Sequence, residues 1–190
     1  MGSQKMFLLV CLMLVLKSKV APQSFWKRYM STLLCNHPGS RSDKAIKIRE
    51  ELHDTFPDYS WYVSVMDENV SGSYLYDTSS DVEQWKNKCG YNMFIWYKED
   101  SKIDKRPCSS EDISIVESLI RTVDSQESSS NDVDIFITKL EYLLKQDDIG
   151  FHLISVDNGN RHSSHDFHLS KALGCSVAKS NNYDVFVYIK

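Results

Sequence analysis

The sequence predicts an α+β fold made of two tandem units, each with two helices packed on a small antiparallel sheet. The chain passes twice through one order of patterns, in which two amphipathic helices precede segments that alternate like strands. Residues 58–69 and 148–159 align without a gap, and both begin with aspartate. A length of 190 residues also suits two small domains, since single domains usually hold about 100–150 residues.

Two helices open the first unit, residues 22–100. Aromatic and leucine side chains recur at helical spacing, and residues 36–39 contain the Pro-Gly pair that ends the first helix. A second helix is predicted to begin at Ser42 or Asp43 as N-cap and to end before Pro57. Its apolar face carries Ala45, Ile48, Leu52 and Phe56.

A hairpin and a final strand complete the first unit. Residues 61–65 alternate with period two, residues 67–71 supply a turn, and Gly72–Tyr76 is interpreted as the returning strand of the hairpin. The polar residues 79–88 then precede a strongly apolar last strand at residues 92–97.

The second unit, residues 112–190, follows a polar linker at residues 101–111. Ser109 and Asp112 form a capping signal for its first helix, and Asp132 opens its second helix. Three later segments repeat the strand, the turn and the terminal strand of the first unit, namely residues 150–156, residues 157–160 and Asp184–Ile189.

Residues 1–21 differ from the rest of the chain. Lys5 is followed by an unbroken apolar run at residues 6–16, which is the pattern of a cleaved secretory signal peptide. The run is too short to span a bilayer, where about 20 residues are needed. An uncleaved anchor and a buried segment of the fold are the alternatives. Removal of residues 1–21 would change the formal charge from -4 to -7, since three lysines and no acid leave.

Cysteine usage fits a secreted chain. Four cysteines remain outside the apolar run, and an even number is compatible with two disulfides of unassigned pairing. They are Cys35, Cys89, Cys108 and Cys175. Four reduced, buried cysteines in a cytosolic protein are the alternative. Asn69 begins an Asn-Val-Ser triplet, which is a glycosylation acceptor if the chain is secreted.

Composition and motifs exclude several functional classes. The chain is 42% hydrophobic with only 7 glycines and 4 prolines, which excludes collagen-like, low-complexity and wholly disordered proteins. A formal charge of -4 lacks the basic footprint of a nucleic-acid binder. The sequence holds no glycine-rich nucleotide loop, calcium loop, nucleophile elbow or His-Glu-x-x-His motif. We therefore expect a protein that is not an enzyme and needs no cofactor.

A polar cluster in the second unit is a candidate metal site. Four of the six histidines lie there with two aspartates: His152, His162, His165, His168, Asp157 and Asp166. Neutral imidazoles with a carboxylate suit zinc or copper, so His162, His165 and His168 are candidate ligands. His162 and His165 would meet on a helix, whereas on a strand His165 would point away from His162 and His168. A solvated hairpin loop is the alternative.

Four features follow one another between Asp43 and Lys98. They are a helix ending in Ile48-Arg-Glu-Glu-Leu52, a tryptophan-led strand at residues 61–66, the tripeptide Gly72-Ser73-Tyr74, and a last strand ending in Tyr97-Lys98. In these features and their order, the first unit resembles the dynein light chain (LC8-type) family. In the second unit, Phe151 and His152 take the place of the family's Trp-His pair.

This resemblance implies a non-enzymatic adaptor that binds partner peptides by β-strand addition, with dynein motor components as partners and a cytoplasmic or cytoskeletal location. The residues it places nearest the groove are Trp61, Tyr62, Gly72, Ser73 and Tyr74.

The resemblance also bears on how the units pair. Family members form a homodimer by exchanging their third strand. The corresponding stretch Asp81–Lys88 is polar, which disfavours a strand, whereas residues 167–173 fit better and residues 176–183 are extra. Tandem units suggest an intrachain pseudo-dimer, with a homodimer as the other arrangement.

The alternative function is that of a secreted, disulfide-stabilised acidic protein that binds an extracellular partner or ligand. The apolar run at residues 6–16 and the even cysteine count favour it.

Overall fold

A computed structural model describes residues 23–103, 109–126, 132–158, 163–169, 175–180 and 182–190. Within these ranges the fold is α+β, as predicted, with four α-helices and two antiparallel four-stranded sheets. The helices are α1 (Gln23–Asn36), α2 (Arg41–Thr55), α3 (Ser110–Gln126) and α4 (Val133–Gln146). The strands are β1 (Tyr59–Asp67), β2 (Gly72–Tyr76), β3 (Asp81–Lys88), β4 (Tyr91–Glu99), β5 (Phe151–Asp157), β6 (Ser163–His168), β7 (Cys175–Ser180) and β8 (Asp184–Ile189).

Local capping sets where the helices begin. Asp132 is the N-cap of α4, as predicted, and its side chain accepts hydrogen bonds from two backbone N–H groups of the first turn. The predicted N-cap of α2 is wrong by a few residues. Ser40 is the N-cap, and Asp43 completes a capping box in which the Ser40 N–H donates to Asp43 Oδ2 at 2.7 Å.

The two halves of the chain exchange one strand each. One sheet has the order β3-β4-β1-β6 and the other has the order β7-β8-β5-β2. Strand β2 follows β1 along the chain but pairs with β5, and β6 follows β5 but pairs with β1. Each sheet therefore takes three strands from one half and one strand from the other.

This exchange shows that the predicted hairpin between residues 61–65 and Gly72–Tyr76 is wrong. Both edges of β1 are already occupied, because Val63 lies opposite Ile95 of β4 on one side and opposite Asp166 of β6 on the other. A returning strand has no free edge of β1 to join.

Three further strand predictions need correction. The polar stretch Asp81–Lys88 is a strand, because an edge position needs few apolar side chains. Val82 and Trp85 supply them to two different cores. Most of the residues taken as extra, 176–183, lie in β7 instead. The exchanged strand was expected at Asp81–Lys88 or at residues 167–173, but the exchanged strands are β2 and β6 (Ser163–His168), the second strand of each half.

Three cores hold the layers together. The helices α1 and α2 cover one sheet and α3 and α4 cover the other, each over an aliphatic and aromatic core. A third, mainly aromatic core lies between the two sheets and contains Tyr62, Phe94, Trp96, Ile103, Leu153, Phe186 and Tyr188. Because the central core takes side chains from both halves, burial there stabilises the exchanged arrangement.

Covalent links add to this packing. Cys35, at the end of α1, forms a disulfide with Cys89 in the turn between β3 and β4. Cys175 is also disulfide-bonded. Cys108 lies outside the described residues, so this second pairing is not assigned. Among the described helices, none combines the length and apolar character required to cross a membrane.

Candidate functional site

Among the described strands, β2 lies at the edge of its sheet, and no described strand pairs with its outer side. At its two ends, the Asn158 N–H donates to the Ser71 carbonyl at 3.2 Å and the Asp77 N–H donates to the His152 carbonyl at 3.1 Å. Because backbone groups alternate along an antiparallel strand, the odd-numbered residues between these ends face β5. The backbone N–H and C=O groups of Gly72, Tyr74 and Tyr76 therefore point away from the sheet.

A groove of about 630 Å³ lies at the Gly72–Tyr74 end of this edge. Gly72, Ser73 and Tyr74 line it on the β2 side, and residues 84–87 of β3 line it on another. Val133 and Asp134, at the start of α4, also contribute to the lining. The groove thus joins a strand edge of one sheet to the edge strand of the other sheet.

Close packing at the groove explains the glycine in the Gly-Ser-Tyr tripeptide. A Cβ atom on Gly72 would lie 2.8 Å from the Tyr74 hydroxyl oxygen and 3.0 Å from Met66 Sδ. The Tyr74 ring is fixed by stacking on Phe94, with the ring centroids 3.7 Å apart. A side chain at residue 72 would therefore displace the floor of the groove.

The structure separates the five residues predicted to lie nearest a binding groove. Gly72, Ser73 and Tyr74 line it, whereas Trp61 and Tyr62 are buried elsewhere. Trp61 packs below the helices against Tyr97, and Tyr62 lies in the central core. The prediction missed the walls formed by residues 84–87 and the start of α4, because their contribution depends on tertiary packing and has no local motif.

A buried polar triad lies at the end of β2. Lys98 Nζ is 2.7 Å from Asp77 Oδ2, and His152 Nδ1 is 2.8 Å from the same oxygen. Burial raises the pKa of Asp77, but hydrogen bonds from Lys98, Ser80 and His152 outweigh it and hold the pKa well below its usual value. Burial lowers the pKa of His152, so this imidazole is neutral near pH 7.

The other exchanged strand, β6, is attached to helix α2. Arg49 Nε lies 2.7 Å from Asp166 Oδ2, and the His53 and His168 rings stack with centroids 3.7 Å apart. Desolvation, followed by the charges of His53 and Arg49, lowers the pKa of His168. A neutral His168 ring is compatible with this close stack.

The predicted three-histidine metal site is not assembled by the described residues. His168 faces α2, whereas His165 faces the central core, where its Nδ1 is 2.8 Å from the Tyr62 hydroxyl. His162 lies outside the described residues. Within the part of the chain that the structure describes, the possible metal ligand atoms that come together belong to Asp157, His165 and Asp184, all within 4.8 Å of one another.

Sequence reasoning included Asp157 and His165 in the polar cluster but missed Asp184. The Asp184 side chain is engaged within the protein, because Ser163 Oγ donates to its Oδ2 at 2.7 Å. Burial lowers the pKa of His165, which keeps the imidazole neutral. The group is thus a partly buried polar cluster to which the exchanged strand β6 contributes His165.

Comparisons of the chain with family models, with curated proteins and with solved structures gave no match. By fold and site, the chain is an α+β protein with two strand-exchanged sheets and an open strand edge. A family assignment is a proposal that rests on its own residues and topology.

Proposed function

We propose that this chain is a non-enzymatic, dynein light chain-like interaction module that binds an extended peptide as an added strand on the outer edge of β2. The observation that carries the proposal is the set of outward-facing backbone groups at Gly72, Tyr74 and Tyr76, next to a groove. In strand addition, main-chain hydrogen bonds supply affinity and side-chain pockets supply specificity.

The strand exchange supports the same proposal. Family members of the LC8 type exchange a strand between two copies, whereas here β2 and β6 are exchanged within one chain. The chain would then act as an intrachain pseudo-dimer of two light-chain-like units. Dynein motor components are the partners that this likeness implies.

The groove lining indicates the chemistry of the peptide. It combines apolar side chains such as Met66, Trp85 and Val133 with amide side chains such as Asn87 and Asn92. We expect a peptide in which apolar residues alternate with polar residues, because successive side chains of an added strand point to opposite sides.

The test begins with a phage-displayed library of random 12-residue peptides selected on the full chain. Binding of the selected peptides is then compared between Tyr76→Pro and Tyr76→Ala. Proline removes the Tyr76 N–H, which faces away from β5, and leaves the hydrogen bonds between β2 and β5 in place. Alanine removes the same exposed side chain but keeps the N–H.

We expect Tyr76→Pro to weaken peptide binding at least tenfold relative to Tyr76→Ala, with both variants folded by circular dichroism. Amide hydrogen exchange at Tyr74 and Tyr76 should also slow when peptide binds. Equal affinity of the two variants, or protection elsewhere on the surface, would contradict strand addition at this edge.

The disulfide between Cys35 and Cys89 favours a second candidate function, that of a secreted acidic protein with an extracellular partner. Intact mass of the protein from its native source separates the candidates. Loss of about 18–21 residues, as a signal peptide of usual length predicts, together with oxidised cysteines, supports the secreted form. An intact N-terminus with free thiols supports a cytoplasmic adaptor.

A further inference from the structure

Asn69 combines a glycosylation triplet with a position on the groove. It lies in the turn between β1 and β2, where the Val70 N–H donates to the Asp67 carbonyl at 3.0 Å. Its side chain is exposed, and the residue lines the groove together with Gly72, Ser73 and Tyr74. A group attached to Asn69 would therefore start at the wall of the proposed peptide site.

The turn that carries Asn69 is held firmly to the neighbouring strands. Asn92 Nδ2 donates to the Glu68 carbonyl at 3.0 Å, and the Glu68 N–H donates to the Gly90 carbonyl at 3.1 Å. These bonds come from the β3–β4 turn and from the start of β4. The attachment point is thus fixed relative to the groove.

The disulfides supply an independent indication of compartment. Cys35 is bonded to Cys89, and Cys175 is also disulfide-bonded. Disulfides form and persist in the oxidising compartments through which secreted proteins pass. Asparagine glycosylation is a modification of surface loops in the same class of proteins.

We propose that Asn69 carries an N-linked oligosaccharide and that this oligosaccharide blocks the groove beside β2. In the reaction, Asn69 Nδ2 forms a bond to the anomeric carbon of a lipid pyrophosphate-linked oligosaccharide. The bond from that carbon to the pyrophosphate breaks, the lipid pyrophosphate leaves with the electron pair, and Nδ2 loses a proton. The modification requires the secreted form of the chain and does not rest on the proposed function. The blocking of the groove rests on peptide binding at the edge of β2, with an extracellular peptide in place of the dynein partners.

The modification is tested on the full chain, with its own N-terminal sequence, expressed in a secreting mammalian cell line. Intact mass is measured before and after treatment with a peptide N-glycosidase. Asn69 is the sole Asn-x-Ser/Thr triplet in the sequence, so Asn69→Gln and Ser71→Ala are matched controls. We expect a mass decrease on treatment of the wild-type chain and none in either variant. A wild-type chain without the oligosaccharide overturns the proposal.

Blocking is tested with the library-selected 12-residue peptides. Their affinity is compared between the glycosylated chain, the enzymatically deglycosylated chain, in which residue 69 becomes aspartate, and Asn69→Asp. We expect the glycosylated chain to bind at least tenfold more weakly than the other two. Equal affinities overturn blocking. If no form of the chain selects a peptide, the proposed function and the blocking both fail, while the mass measurement still decides the modification.

Discussion

Strands β2 and β6 occupy matching places in their sheets, each beside the first strand of the other half, but their surroundings differ. The end of β2 is anchored by the buried triad of Asp77, Lys98 and His152, and its outer edge lies beside a groove. Strand β6 instead contacts helix α2 through two side-chain pairs. One is the ion pair of Arg49 with Asp166, whose side chains are partly exposed, and the other is the stack of the His53 and His168 rings.

The two strands thus differ in what holds them. Among the described residues, no hydrogen bond or ion pair joins α4 to β2, and Leu75 of β2 contacts the helix side of its sheet through the apolar core. The polar contacts of β2 are concentrated in the triad at its end. By contrast, side chains of α2 contact side chains in the middle and at the end of β6, namely Asp166 and His168. The same exchange thus leaves the edge of β2 at a groove, where we propose binding, whereas the side chains of β6 contact a helix.

The largest expected loss of stability comes from the triad of Asp77, Lys98 and His152 at the end of β2. Lys98→Met removes the buried ammonium and leaves the Asp77 carboxylate without its cation, which should lower the free energy of unfolding by about 3–5 kcal/mol. Urea unfolding monitored by tryptophan fluorescence measures it. The double variant Lys98→Met, Asp77→Asn should recover part of the loss, because the two sites interact directly. A loss below about 1 kcal/mol would mean that the triad does not anchor β2.

Acidification should have a smaller effect on the free energy of unfolding, and it acts through two histidines that are held neutral. His152 lies on β5, beside β2, and His165 lies on β6. Burial lowers the pKa of His152 and of His165 in the folded protein, below the value of about 6.5 expected in the unfolded chain. The unfolded state therefore binds more protons as pH falls below about 6.5, and stability should decrease there by at most about 1.4 kcal/mol per pH unit for each histidine.

Urea titrations at about pH 7.5 and about pH 5.5 measure this decrease on either side of the histidine range. His165→Asn should reduce the slope without removing it, because His152 still titrates. A stability that is flat or rises on acidification over this range would contradict burial of the neutral imidazoles.

The smallest effect is expected at the β6 attachment. Arg49→Met should lower the free energy of unfolding by about 0.2–1 kcal/mol, because the side chains of Arg49 and Asp166 are partly exposed and solvent screens the pair. The stability loss of Arg49→Met should shrink at high NaCl concentration. The loss of Lys98→Met should shrink less, because salt screens a buried pair less than an exposed one. A loss at Arg49 as large as that at Lys98 would remove the contrast between the two strands.

Local patterns were good predictors of elements in this chain. The N-cap at Asp132, the break after α1 and the terminal strand Asp184–Ile189 all depend on residues within a few positions of one another. The residues of the Gly72–Tyr74 tripeptide line a groove in the structure. Trp61 and Tyr62 do not, and the sequence could not show this, because an alternating strand does not reveal which of its faces is covered by helices and which by a second sheet.

The sequence by itself determined the α+β class, the four described helices and most of the described strands, since these follow from side-chain periodicity and capping. Only the tertiary structure decided which strands pair. Backbone hydrogen bonds are alike for every partner strand, so the choice between a β1–β2 hairpin and the exchange depends on distant packing. Occupation of both edges of β1, together with the shared aromatic core between the sheets, favours the exchange and leaves the edge of β2 open.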